Sequence, residues 1–228
     1  MLSKDRRFRS AVVVGLALVL LAGACATAVS AQSDWARLQS DWALRDTWQR
    51  PTDVMDAMGA APGSVVADVG TGFGYFAFRL AERVGPEGKV YAVDIRDSLL
   101  QQIHGYAEKQ NLKQIETVLG AEDDPRLPAA ALDGIVIVNT YHEMGRYDAM
   151  LQGMFRALKP GGKLVIIDQP APTGKTREEY FRNHKLPEEI VRQDSSRNGF
   201  RFLEKKADIG NESREKWYFL VFEKPRPE

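Results

Sequence analysis

Apolar positions along this chain alternate between a helical period and short unbroken runs, and the order of those switches indicates the architecture. Trp35, Leu38 and Trp42 form a helical stripe within residues 33–50, with Ser33 and Asp34 as candidate caps and Pro51 as its stop. Such a Trp/Leu stripe reads as packing rather than as a binding surface. A short helix is predicted from Thr52, as N-cap, to Gly59. Beyond the turn Ala61-Pro62-Gly63, the β-branched run from Val65 closes on Asp68 and predicts a strand. Tyr75 to Val84 is amphipathic at the helical period, and Val90 to Val93 is a second apolar run, ending in Asp94. Helix is predicted again over Ser98 to Gln110, strand over Ile115 to Leu119, and strand over Ile135 to Val138. That last unbroken run is the pattern of a strand buried on both faces of a parallel sheet. Tyr147 to Leu158 predicts a helix, Lys159 to Gly162 a tight turn, and Leu164 to Ile167 a strand closed by Asp168. Residues 169–185 read as a polar loop or lid, and Pro187 to Arg197 as a helix. Phe200 to Ala207 and Trp217 to Phe222 predict an antiparallel pair joined at Asn211-Glu212-Ser213. Alternating strands and helices followed by a hairpin define a three-layer α/β domain on a mostly parallel sheet.

Composition narrows the range of partners. Lys+Arg and Asp+Glu are equal at 31 each, so no nucleic-acid polyanion is expected as a partner. Lys4, Arg6, Arg7 and Arg9 precede an uncharged apolar run from Ala11 to Val29, with small residues at Val29-Ser30-Ala31. That order is the n-region, h-region and cleavage site of a secretory signal, or of a membrane anchor if it is not cut. The domain plan is therefore 1–31 as signal or anchor, 32–50 as a helical segment and 51–228 as the folded domain. The protein is expected to be exported, periplasmic or secreted, and to meet a membrane only through residues 1–31. Cys25 sits in a loose lipoprotein-like context and is the only cysteine, so the chain beyond it has no disulfide.

In an open parallel sheet, ligands bind outside the carboxyl ends of the strands. Those ends hold Asp68 with its glycine loop, Asp94, Gly120 to Glu122, Asn139 to Glu143 and Asp168, whereas the strands themselves are apolar. The loop reads Gly70-Thr71-Gly72-Phe73-Gly74, a G-x-G-x-G spacing, in place of the G-x-G-x-x-G of a dinucleotide site. A carboxylate beside the loop, Asp68, would repel a pyrophosphate but accepts hydrogen bonds from an ammonium group. Asp94 stands at the usual spacing for an acid that bonds ribose hydroxyls. A ligand with a ribose, an amine and no phosphate fits both features, as S-adenosylmethionine does. An NAD(P)-dependent oxidoreductase fits the spacing less well. A non-catalytic module that keeps the fold is the other alternative, since export would separate the protein from a cytoplasmic cofactor.

With these residues in view, the chain resembles the class I S-adenosylmethionine-dependent methyltransferases. The likeness rests on Ala67 to Ala77 (ADVGTGFGYFA), Val90 to Ile95 (VYAVDI) and Leu158 to Asp168 (LKPGGKLVIID). It implies a Rossmann-like, seven-stranded sheet in the order 3-2-1-4-5-7-6. It also implies that Asp68, Gly70 and Gly72 cradle the methionine part of the cofactor, that Asp94 holds the ribose and the loop after Gly120 flanks adenine, with Thr71, Gly74, Ile95 and Asn139 as further cofactor-binding residues. The family often carries an Asp after the third-strand glycine where this chain has Ala121, leaving the backbone of Ala121 or the side chain of Glu122 or Asp123 to substitute. The implied reaction is SN2 methyl transfer to a small-molecule acceptor. His142, with Tyr141 and Glu143 beside it, is the candidate general base, and His184 in the lid is a further candidate. No metal site is expected, because His142 and Glu143 are adjacent rather than spaced on one helical face.

Overall fold

The computed structural model describes residues 35–210 and 216–227. The signal-like segment, Cys25, the caps Ser33 and Asp34, and the hairpin turn at Asn211-Glu212-Ser213 lie outside the described residues. The chain divides into two compact units, Met1–Arg45 and Asp46–Glu228. Residues 35–49 are helical (α1), and in the first unit the rings of Trp35 and Trp42 meet edge to face at 5.6 Å.

The second unit carries the fold. Its elements are α2 (Pro51–Ala57), β1 (Val65–Val69), α3 (Tyr75–Val84), β2 (Lys89–Asp94), α4 (Asp97–Lys109), β3 (Ile115–Leu119), β4 (Leu132–Val138), a 3-10 turn (Tyr141–Glu143), α5 (Tyr147–Ala157), β5 (Leu158–Asp168), α6 (Arg177–Arg182), α7 (Glu188–Arg197), β6 (Arg201–Ile209) and β7 (Trp217–Glu223). The seven strands form one sheet in the order β3-β2-β1-β4-β5-β7-β6. The pairs from β3 to β5 are parallel, and β7 runs antiparallel to both β5 and β6. The expected order and the terminal antiparallel pair are both present. The chain leaves β1 toward β2 on one side and returns to β4 on the other, so a crevice opens at the carboxyl ends of β1 and β4. The apolar runs of β4, β5 and β7 are buried, as a sheet covered on both faces requires.

Local differences from the sequence reading have local causes. Pro51 opens α2 rather than only ending α1, because its fixed φ suits a first helical position, and the residue outside it is Arg50 at φ 51°, not Thr52. The expected turn at Lys159 to Gly162 is drawn into β5. The Gly161 N–H donates to the Lys224 carbonyl at 2.7 Å and the Lys224 N–H donates to Gly162 at 2.9 Å, so β7 and the residue after it extend the ladder past the glycines. The lid contains α6, whose start is a capping box between Thr176 and Glu179; the T-x-x-E spacing is the signal that marks it. Strand β4 begins at Leu132, earlier than its β-branched run, because Asp133 is held by the Val65 N–H at 2.9 Å and the Lys159 ammonium at 2.6 Å.

Gly134 lies in β4 where an added Cβ would stand 2.5 Å from the Met58 carbonyl oxygen, a backbone atom that has no room to move aside. Gly134→Ala is expected to cost about 1–3 kcal/mol by overpacking. A chemical-denaturation midpoint that falls with an unchanged m-value would show it.

Candidate functional site

The glycine loop is folded down onto the end of β2. Register pairs Val69 with Val93, which leaves Asp94 one step further along, beside the loop. The N–H groups of Gly70 and Thr71 both donate to the Val93 carbonyl, at 2.8 and 3.0 Å, and the Gly72 N–H donates to Asp94 Oδ2 at 2.9 Å. Gly70 (φ 78°) faces Thr140, whose Cγ2 lies 2.2 Å from where a Cβ would be, so only glycine lets the β1 and β4 loops close together. Thr140 was not among the sequence candidates, yet its hydroxyl also reaches the Gly70 carbonyl at 3.3 Å. Gly74 (φ 84°) precedes α3 and starts the helix from a left-handed residue.

The two acids of the cofactor side have different environments. Asp68 is buried, and its Oδ2 accepts the Thr71 hydroxyl at 2.7 Å, which places Thr71 as its partner within the loop. Asp94 is buried too, and beyond Gly72 it accepts the Arg96 N–H at 3.0 Å and the Arg96 guanidinium at 3.0 and 3.2 Å. The guanidinium is held charged chiefly by these bonds to Asp94, against partial burial, with further attraction from Asp94 and Glu143. Arg96 therefore covers the carboxylate that a ribose would need, and no sequence signal indicated it. Gly120 donates its N–H to the Asp94 carbonyl at 3.0 Å, which fixes the β3 loop at the same strand end. Ala121 donates to the Asp124 carbonyl at 2.8 Å, while Glu122 and Asp123 are exposed. Ile95 and Leu119, at the ends of β2 and β3, also leave apolar surface open. Two buried acids at the ends of β1 and β2 and open apolar side chains at the same sheet edge suit an amine, a ribose and an adenine, so the residues present fit S-adenosylmethionine.

On the β4 and β5 side, Asn139 (φ 54°) is fixed by its N–H to the Ile167 carbonyl at 2.8 Å and by Gln169 Nε2 to its Oδ1 at 2.8 Å. The end of β5 supplies Asp168, fully buried. Its Oδ2 accepts the His142 backbone N–H at 3.0 Å, and its Oδ1 meets the Gln169 N–H and His142 Nδ1 at 2.7 Å each. A carboxylate that already accepts backbone N–H groups takes the Nδ1 proton as well, which leaves the Nε2 lone pair of His142 as the outward-facing atom. Glu143 is half exposed, with Oε1 at 3.7 Å from His142 Nε2, and His184 Nδ1 approaches the same oxygen at 3.2 Å. Adjacency in sequence gave His142 and Glu143 no ligand-like spacing; the chain returns after α6 so that His184 meets them.

Tyr141 is placed differently from its neighbour. Its ring is fully buried and its hydroxyl donates to Asp194 of α7 at 2.9 Å. Burial, reinforced by the Asp194 charge, pushes the phenol well above its usual range, so Tyr141 is not a base and its hydroxyl is already engaged. Asp194 also accepts Arg177 at 2.8 Å and Arg197 at 2.9 Å. Near this network, three buried polar atoms have no hydrogen-bond partner among the described residues: Arg177 Nη2, Ser195 Oγ and Tyr218 Oη. An orphaned buried group costs on the order of 1–3 kcal/mol, and the usual partner is water or a ligand.

Comparison with known proteins agrees with this geometry. Residues 37–204 match the model of the ubiE/COQ5 methyltransferase family. A demethylmenaquinone methyltransferase of Lactococcus lactis is 29% identical over 160 residues, covering 68% of this chain and 63% of the relative. One from Geobacillus is 30% identical over 121 residues, covering 53% and 52%. The chain thus spans between half and two thirds of the length of these curated relatives. Among solved structures, a SAM-dependent methyltransferase from Aquifex aeolicus superposes with a TM-score of 0.67 at 26% identity, covering 79% of this chain and 92% of that one. The [4+2]-cyclase SpnF superposes at 0.65 with 16% identity, covering 78% and 81%, and shares the fold alone.

Asp94→Ala is expected to lower affinity for S-adenosylmethionine at least tenfold, about 1.4 kcal/mol, measured by calorimetric titration. Unchanged affinity would mean that the ribose is held elsewhere. Tyr141→Phe is expected to leave that affinity intact and to lower unfolding free energy by about 1 kcal/mol, through the lost bond to Asp194.

Proposed function

This chain belongs to the ubiE/COQ5 methyltransferase family, and from that premise we propose that it transfers the methyl group of S-adenosylmethionine to a small, quinol-like acceptor bearing a ring hydroxyl. The observation that carries the reading is the pairing of two functions at one sheet edge. The glycine loop with Asp68 and Asp94 lies on one side of the β1–β4 crevice, and a histidine oriented by a buried carboxylate lies on the other. S-adenosylmethionine supplies, when bound, a methyl group on a sulfonium that is already electrophilic. The chain's own residues are left with alignment, exclusion of water and management of one proton. Gly72 and Asp94 fix one reactant, with the Arg96 guanidinium yielding the carboxylate to the ribose hydroxyls. His142 Nε2 takes the acceptor's proton, and Asp168 stabilises the imidazolium that forms. Arg177 Nη2 and Tyr218 Oη, both buried without partners among the described residues, are the donors for an acceptor oxygen. Exposed Phe73 on the glycine loop and Phe181 on α6 offer apolar surface for a flat ring. The curated relatives named for demethylmenaquinone support an acceptor of this kind.

Residues 1–31 carry the basic, apolar and small-residue order of an export signal, and we place the protein outside the cytoplasm on that ground. Among the described residues no helix is long and apolar enough to cross a membrane.

His142→Gln is expected to reduce turnover of a quinol acceptor about 100-fold or more while S-adenosylmethionine affinity stays within twofold. Steady-state kinetics paired with cofactor titration reads both. Equal loss of the two would assign His142 to loop structure instead.

A further inference from the structure

His142, Glu143 and His184 bring one imidazole nitrogen, one carboxylate oxygen and a second imidazole nitrogen to within 4.8 Å of one another. Taken alone, the contact of His184 Nδ1 with Glu143 Oε1 at 3.2 Å is an exposed pair that contributes little. The buried member gives the cluster its direction. His142 Nε2 stands 3.7 Å from the same Glu143 oxygen, too far for a hydrogen bond, and it is the ring nitrogen left over when Nδ1 is engaged by Asp168 at 2.7 Å. A carboxylate behind an imidazole whose other nitrogen faces two more ligand atoms is the arrangement that orients histidine toward a metal. Bonds of about 2.0–2.2 Å at tetrahedral angles put neighbouring ligand atoms about 3.3 Å apart. The separations of 3.2 and 3.7 Å bracket that value, and the half-exposed Glu143 and exposed His184 are free to adjust around the fixed His142.

We infer that His142, Glu143 and His184 form a three-ligand site for a divalent transition-metal ion of the zinc type, with Asp168 as the residue that positions His142. Two imidazoles and one carboxylate suit zinc, iron or cobalt better than magnesium or calcium, whose preferred ligands are all oxygen. Three protein ligands leave a further position open for water or an acceptor oxygen. The role of that open position rests on the methyl-transfer reading above. A hydroxyl coordinated there would have its pKa lowered and would release its proton to solvent water, because His142 Nε2, engaged as a ligand, could not take it.

The test is calorimetric titration of the metal-free full chain with Zn²⁺, followed by Co²⁺ substitution and visible absorption to read coordination. One equivalent is expected. Glu143→Gln and His184→Ala, which alter exposed side chains, should each weaken it at least tenfold. Asp168→Asn should weaken it about 10- to 100-fold through the lost orientation of His142. His104→Ala should leave it unchanged, because His104 pairs with Glu108 on the surface of α4 and would carry adventitious binding. No Zn²⁺ binding, or wild-type affinity in His184→Ala, overturns the site. Titration of the same preparations with S-adenosylmethionine separates the two readings: a chain that binds the cofactor but not the metal loses only this inference.

Discussion

The Val93 carbonyl accepts two N–H groups from the glycine loop, and the next residue's carboxylate accepts a third. This junction between the end of β2 and the loop after β1 is the constraint on which the cofactor side depends. It requires left-handed backbone at Gly70 and Gly74, and it requires the absence of a Cβ where Thr140 stands. In return the loop is held before any ligand arrives, so less ordering remains for binding to impose.

Asp94 consequently has two roles that compete. It is an anchor for Gly72 and, through its backbone, for Gly120, and on the proposed reading it is also the acid that would meet the ribose. Arg96 occupies the second role in this state. A buried carboxylate left bare would be costly, and the Arg96 guanidinium together with the Gly72 N–H keeps the acid satisfied in this state. The same guanidinium lies within the electrostatic reach of Glu143, whose charge adds to that of Asp94 in keeping it protonated.

The opposite wall is built around a second buried carboxylate. Asp168 has no exposure, and its three partners are a histidine ring and two backbone N–H groups. Such a group sets geometry more than it adds net stability. It fixes which nitrogen of His142 is available, and both the proposed proton transfer and the inferred metal site depend on that nitrogen. Tyr141, its sequence neighbour, faces Asp194 instead, and α6 and α7 are joined through Arg177.

Much of this was determined by local sequence. Strand and helix order follow from periodicity, because burial of one face or both is imposed residue by residue. The G-x-G-x-G spacing, with Asp68 and Asp94 at strand ends, indicated the ligand class through charge and reach alone. Tertiary structure decided the rest. Glycines 161 and 162 join a strand because Lys224, distant in sequence, accepts and donates their hydrogen bonds. Tyr141 and His142 diverge because α7 offers Asp194 to one while β5 offers Asp168 to the other. Arg96 covers Asp94, and His184 meets Glu143, through contacts between side chains whose spacing obeys no period. Sequence therefore specified the sheet edge and its nucleoside wall, where the determinants are local. The acceptor wall is assembled from residues brought together only by folding, and its chemistry became visible there.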